Sequence, residues 1–369
     1  CMDFALQPTT VRAVRAAPLD MPLRAPFGIS RGSLGTAANV LVTVELADGT
    51  LGFGEAAPFP AYNGETQSAA LGCLVQSANW LPGRDAADWR GIASEFRAAG
   101  GLACGSALCA LETALLDAVT RRSGVPLCRF FGGAGTELET DMTITTGTAG
   151  EAAEAALEIR LRGIRLIKAK IGGPGGPDAD LDRISAIRET SPDSPLILDG
   201  NAGIGRAEAA TLVRGLKSRG VSPVLLEQWL PREDLAGMRA LAEESGWRVA
   251  ADECVSSAED ARLVARAGAA QVINVKLMKA GISEALEVVA VAREAGIGLM
   301  IGGNVESILA MTASACFAAG LGGFEHADLD TPLFLAENPF DGGFTLSGSR
   351  ISVAHIDAGH GVMPRSLLL

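Results

Sequence analysis

Five charged residues recur at the polar ends of short apolar runs. Lys170 closes RLIKAK, Asp199 closes SPLILD, Glu227 closes SPVLLE, Asp252 closes WRVAAD and Lys276 closes QVINVK. They stand about 24 to 29 residues apart, the length of one strand, loop and helix in a parallel barrel. A buried strand that ends in a charge at the same place in every unit puts those charges around one barrel mouth. The pattern predicts an α/β fold with a (β/α) barrel, and a mouth where three carboxylates lie between two lysines.

The length of 369 residues accommodates a barrel of about 250 residues and a further domain of ordinary size. The first third lacks the repeat. VRAVRAAPLDMPL and ANVLVTVELADGTLGFGEA, with a turn signal at Asp48-Gly49, predict a three-stranded antiparallel meander. Helices are expected at about 66–80, 85–99 and 103–123. From Asp141 the pattern changes to apolar run, loop and amphipathic helix, and eight candidate strands follow: DMTIT, RLIKAK, PLILD, PVLLE, RVAAD, VINVK, IGLMIGG and FEHADLD. The expected division is an α+β capping domain over 1–135, the barrel over 136–341, and a segment 342–369 that packs back on the capping domain. Two segments rich in Gly, Pro and polar residues, 24–35 and 58–65, read as loops over the barrel mouth, where selectivity commonly resides.

The net charge of -12 is spread along the chain with no block of Lys or Arg, which disfavours nucleic acid and anionic membranes as partners. No stretch offers the roughly 20 uncharged apolar residues of a membrane span, and CMDFALQPTT lacks a signal-peptide core. Seven cysteines without a CxxC pair fit free thiols in a reducing compartment. The expected location is cytoplasmic, or organellar if a leader has been removed.

Asp199, Glu227 and Asp252 offer only oxygens, which suits Mg²⁺, a hard cation that keeps open positions for substrate oxygens. Without His or Cys in the set, zinc is disfavoured. Lys168 and Lys170 lie two apart and share a strand face. Burying two ammonium groups side by side is expected to depress at least one pKa and so make a base. Lys276, on the sixth run, lies across the ring from the second. A base on each side of a metal-bound substrate removes a proton from one face of a carbon and returns one to the other. Asp328 and Asp330, flanking Leu329 on the eighth run, offer same-face carboxylates for a cation such as a substrate amine. The three histidines miss the ring positions, so a His/Asp dyad is not expected. The glycine-rich stretch 172–177 lacks the Lys-Ser/Thr of a phosphate loop.

With KAK at Lys168 to Lys170, LDGN at Asp199, LEQ at Glu227, ADE at Asp252 and NVKLMKAG around Lys276, the chain resembles the muconate-lactonising subgroup of the enolase superfamily. The pairing of a Lys or His base with Mg²⁺ that stabilises an enediolate is a general description of such sites. PFGISRG, GFGEAAPFPAYNGET, IGGNVES and ADLDTPLFL make it most similar to the dipeptide epimerases. Trp229 stands where proline is usual, Gly200 replaces a common alanine, Met278 a common aspartate and Asn304 a methionine.

The resemblance implies a modified TIM barrel with an N-terminal α+β capping domain, a homo-oligomer, and one Mg²⁺ held by Asp199, Glu227 and Asp252. It implies inversion of the α-carbon of a dipeptide's C-terminal residue through an enediolate. Lys170 and Lys276 are then the acid/base pair, Lys168 an electrostatic helper, and Asp328 and Asp330 the holders of the α-ammonium. Arg31, Phe27, Ile29, Tyr62, Met278, Asn304 and Glu306 are further candidates for substrate contact, and Arg31 for an acidic side chain. A muconate-type cycloisomerase, or an N-acylamino-acid racemase or o-succinylbenzoate synthase-like enzyme, is the alternative. Neither a diacid nor an acylated amine presents the ammonium group that Asp328 and Asp330 would hold.

Overall fold

The computed structural model describes residues 9–29, 32–100 and 104–366. The first third forms an antiparallel sheet in the order β1 (Val11–Ile29), β2 (Gly32–Leu46), β3 (Leu51–Ala56). The β2–β3 turn falls at the predicted Asp48-Gly49, where Gly49 takes φ 86° and the Asp48 carboxylate accepts from Thr50 N at 3.0 Å. Within the segment 24–35, expected as a loop, the described residues 24–29 and 32–35 instead extend the β1–β2 ribbon, with Phe27 opposite Leu34 and Ile29 opposite Gly32. Its prolines mislead because they interrupt the ladder without ending it. The register shifts between Pro22 and Phe27, a segment that includes Pro26, and pairing then resumes.

Among the described residues five α-helices follow: α1 (Pro60–Asn63), α2 (Gln67–Ser77), α3 (Trp89–Ala98), α4 (Gly105–Arg122) and α5 (Leu127–Phe130). α4 is the hub of this region and is buried along most of its length. β3 lies directly on it, and glycine permits that approach: a Cβ at Gly54 would stand 1.9 Å from Ala110 O, and one at Gly52 2.1 Å from Ala114 O. On the other side, the Glu112 carboxylate accepts from Ile282 N and Ser283 N, across to the barrel.

After β4 (Glu137–Glu139), the barrel strands are β5 (Met142–Ile144), β6 (Ile167–Lys170), β7 (Leu196–Asp199), β8 (Leu225–Glu227), β9 (Val249–Ala251), β10 (Val272–Lys276), β11 (Gly298–Gly302) and β12 (Phe324–Ala327). They lie parallel in sequence order. A parallel bridge between Thr140 and Ala327 joins the first strand's approach to the last strand. Helices α6 (Ala149–Leu161), α7 (Gly176–Thr190), α8 (Arg206–Ser218), α9 (Leu235–Ser245), α10 (Ala258–Ala267), α11 (Ile282–Glu294) and α12 (Ile308–Leu321) separate consecutive strands. Among the described residues no α-helix follows β12, only a 3₁₀ turn over Thr331–Leu333 before the terminal strands, so the barrel is of the modified (β/α)₇β type. α6 opens with a capping box in which Thr148 and Glu151 satisfy each other's backbone N–H.

β14 (Thr345–Ser347) and β15 (Arg350–Ser352) form the hairpin that FTLSGSRISV suggests, with β15 also pairing with β4, while β13 (Phe340–Gly342) pairs with β16 (Val362–Pro364). Leu127 N donates to Gly359 O at 2.8 Å and Arg121 Nη2 to Val362 O at 2.6 Å. His360 is fully buried and lies 3.2 Å from Asp117, a structural contact outside the ring, as its sequence position implies. Its Nε2 also lies 2.9 Å from Phe53 O. The pair ties the last segment to α4 and β3, and burial pushes the His360 pKa down.

Candidate active site

Strand parity explains why the charges converge. Ile197, Leu225, Ala250, Val272 and Met300, with Leu166 against them, form a separate apolar cluster inside the barrel. Each ring residue lies an even number of positions beyond one of these: Lys168 and Lys170 after Leu166, Asp199 after Ile197, Glu227 after Leu225, Asp252 after Ala250, Lys276 after Val272. Residues at i and i+2 share a strand face, so a plug of aliphatic side chains below carries a layer of charge above. Lys170 is level with Asp199, and Asp199 with Glu227. β6 and β10 are separated by three strands either way round, so Lys170 and Lys276 rise from opposite walls.

Buried charges persist only when compensated. Lys168 Nζ, fully buried, stands 2.7 Å from Asp328 Oδ2, 2.8 Å from Glu227 Oε2 and 3.0 Å from Asp199 Oδ2. Lys170 Nζ is 2.6 Å from Asp199 Oδ2 and Lys276 Nζ is 2.8 Å from Asp252 Oδ2. The expectation that crowding depresses a lysine pKa does not hold for Lys168. Burial pulls it down, but Asp199, Asp328 and Glu227 outweigh that and push it well up. Burial also pulls Lys276 down, but Asp252, Glu227 and Glu253 together outweigh it and push it up. Against the pull of burial, Lys168 and Lys170 hold Asp199 at about 2, and Lys276 and Lys279 hold Asp252 well below the usual carboxylate range.

Asp199, Glu227 and Asp252 are completely buried. Glu227 Oε2 and Asp252 Oδ2 each face an ammonium at 2.8 Å off the direction of a hydrogen bond. Two buried carboxylate oxygens with unspent lone pairs, in an oxygen-only set, fit a hard divalent cation. A tighter cluster, expected only in part, lies beside them: carboxylate oxygens of Asp141, Asp328 and Asp330 are within 4.8 Å of one another. Burial, then Asp328, raises Asp330 to about 7, and the same causes raise Asp141 well up. Neither Asp141 oxygen has a hydrogen-bond partner.

The loops after the strands hold the carboxylates in place. Asn201 (φ 43°), Ala202 (φ 55°) and Gln228 (φ 35°) adopt left-handed backbone directly after Asp199 and Glu227, strain of the kind that concentrates at functional sites. Asn201 N donates to Asp199 Oδ1 at 2.9 Å, Asn274 Nδ2 to Glu227 Oε1 at 2.7 Å, and Asp252 N to Gln228 Oε1 at 2.9 Å. The departures at Gly200 and Trp229 face each other: a Cβ on Gly200 would stand 2.7 Å from Trp229 Cα.

A small cavity opens above the charges, lined by Phe27, Phe59, Tyr62, Thr143, Lys170, Asn201, Lys276, Gly303, Asn304, Val305, Asp328, Asp330 and Thr331. The lysines and the Asp-x-Asp pair thus share one space with Phe27, Tyr62 and Asn304. Asn304 Nδ2 donates to Ala57 O at 2.9 Å, joining β11's loop to the capping domain. Met278 is buried in the main apolar core and off the cavity wall. Glu306 is also off that wall, accepts from Asn304 N at 2.6 Å and is raised by burial to about 8. Ile29 pairs through its backbone with Gly32, and Arg31 lies outside the described residues.

Sequence reasoning missed Lys279, Asp141 and Phe59. Lys279 Nζ contacts Asp252 Oδ1 at 2.9 Å and donates to Asp252 O and Asn274 O, each at 2.7 Å. Its place three residues after Lys276, in a turn after a strand, was the available signal. Asp141 begins its apolar run instead of ending it, which hides it from a rule built on strand ends.

Residues 151–366 match the family described as enolase C-terminal domain-like, and 11–132 match the mandelate racemase/muconate lactonizing enzyme N-terminal domain. The chain is 50% identical to the aromatic dipeptide epimerase of Herpetosiphon aurantiacus, over 96% of this chain and 99% of that one. It is similar to the crystal structure of a mandelate racemase/muconate lactonizing enzyme from Roseiflexus sp. (53% identity, TM-score 0.93, 98% and 100% of the two chains). It is also similar to the dipeptide epimerase of Enterococcus faecalis complexed with Mg and L-Leu-L-Tyr (28% identity, TM-score 0.90, 96% and 99%). Fold, mouth and relatives agree: the chain belongs to the dipeptide epimerase family of the enolase superfamily.

Proposed function

We propose that the protein is a Mg²⁺-dependent epimerase of dipeptides that inverts the α-carbon of the C-terminal residue. The observation that carries this reading is one cavity holding Lys170 and Lys276 from opposite barrel walls together with Asp328 and Asp330. Asp199, Glu227 and Asp252 would hold the ion. When bound, Mg²⁺ supplies positive charge that stabilises the enediolate form of the substrate carboxylate. One of Lys170 and Lys276, in its neutral form, takes the α-proton, and the other, as an ammonium, returns a proton to the opposite face. Lys168 adds a fixed positive charge, and Asp328 and Asp330 orient the substrate's α-ammonium. Phe27, Phe59, Tyr62 and Val305 on the cavity wall favour apolar or aromatic side chains.

A dipeptide library incubated with enzyme and Mg²⁺ in D₂O and read by mass spectrometry tests the assignment. Dipeptides with apolar or aromatic C-terminal residues are expected to gain α-deuterium and epimerise, with loss of activity on chelation. Exchange on N-acylamino acids, or cyclisation of diacids, with dipeptides inert would refute it.

A further inference from the structure

Tyr62 is the sole tyrosine of the chain and belongs to the capping domain, on α1. It nevertheless reaches two charged groups of the barrel. Its hydroxyl donates to Asp252 Oδ1 at 3.0 Å, and its ring lies under the Lys276 ammonium, 4.4 Å from nitrogen to centroid. That distance is well within the range at which a cation is attracted to an aromatic face. Among the described residues the other ring–cation contacts are Arg90 with Trp89, Arg121 with Phe53 and Lys217 with Trp247, so no ring covers Lys170. The two lysines are therefore held differently. The carboxylate that now positions Lys276, Asp252, is also one that the proposed ion would take. The Tyr62 face is the contact of Lys276 that an ion at Asp252 leaves free.

We infer that Tyr62 is a positioning residue for Lys276 alone, so that docking of the capping domain sets the aim of one of the two proton-transferring lysines and not the other. The inference rests on the epimerase reading for its kinetic consequence. The equilibrium constant ties kcat/KM in the two directions together, so net epimerisation cannot display one-sidedness. α-Proton exchange with solvent can, because each epimer loses its proton to only one lysine.

Deuterium uptake is followed by mass spectrometry separately from each epimer of one accepted dipeptide. Lys276→Ala identifies the epimer that depends on Lys276, as the one whose exchange disappears. Tyr62→Leu is expected to slow exchange of that same epimer on the order of tenfold, while the other epimer changes less than about twofold. Tyr62→Phe, which keeps the ring and loses the hydroxyl, is expected to restore the ratio between epimers. Equal slowing of both epimers by Tyr62→Leu would reduce Tyr62 to a wall of the cavity and overturn the inference. Wild-type enzyme that exchanges no dipeptide would instead overturn the epimerase reading. The contact is then judged without substrate, by rates of reductive methylation at Lys276 with formaldehyde and borohydride. Faster labelling in Tyr62→Leu, with Tyr62→Phe near wild type, supports it. Identical labelling in all three proteins refutes it.

Discussion

Lys168, Lys170 and Lys276 show how neighbours give one residue type different surroundings. Three carboxylates within 3.0 Å push Lys168 firmly to the ammonium form, which agrees with the fixed charge proposed for it. Lys170 has one carboxylate partner and borders the cavity, which leaves it the better placed of the pair on β6 to move a proton. Lys170→Ala and Lys276→Ala are each expected to lower epimerisation by roughly 10²–10⁴-fold, measured as turnover of a dipeptide accepted in the library screen. Near wild-type turnover in either variant would sink the two-base scheme. The positions of these lysines were legible in the sequence, because strand parity decides which residues face inward. The protonation state was not, because it depends on how many carboxylates from other strands converge on each nitrogen.

At the scale of elements, the capping domain meets the barrel through α4, and the closeness of β3 to α4 is set by two glycines. Gly54→Val would drive a side chain into the Ala110 carbonyl, since even a Cβ would stand 1.9 Å from that oxygen. A destabilisation of about 2–4 kcal/mol is expected, read from the urea midpoint, with a helical circular-dichroism spectrum retained. Unchanged stability would mean that the helix shifts freely, and that the sheet's position over the mouth is not fixed by this contact. Element types were readable from periodicity, as the meander and the alternating units show. The ribbon over 24–29 and 32–35 was not, because its pairing depends on apolar packing beyond the prolines: Phe27 is buried and meets Phe334 at 5.5 Å between ring centroids.

For the whole molecule, Glu112 is the buried link between α4 and the start of α11. Burial raises its carboxyl to about 7 from an ordinary 4.5, the N–H groups of Ile282 and Ser283 only partly opposing. The native state then binds more protons than the unfolded chain between those values. Stability from this group is complete below pH 4.5, falls as pH rises, and is lost above pH 7. Glu112→Gln is expected to flatten the pH dependence of the urea midpoint between about pH 5 and 7 relative to wild type, a difference on the order of 3 kcal/mol. Identical slopes in the two proteins would show that Glu112 does not titrate in this range.

The sequence by itself determined the barrel, the order of its strands and the charges that ring one mouth. Those follow from local rules, a repeat length and a two-residue strand period, that need no knowledge of distant neighbours. Tertiary structure decided which charges touch and what covers them. Tyr62 lies 190 residues from the aspartate it meets, and Asp141 joins Asp328 and Asp330 only where the first strand's approach meets the last strand. Such contacts depend on closing the sheet and docking the cap, and no local pattern in the chain encodes the distance at which those surfaces come to rest.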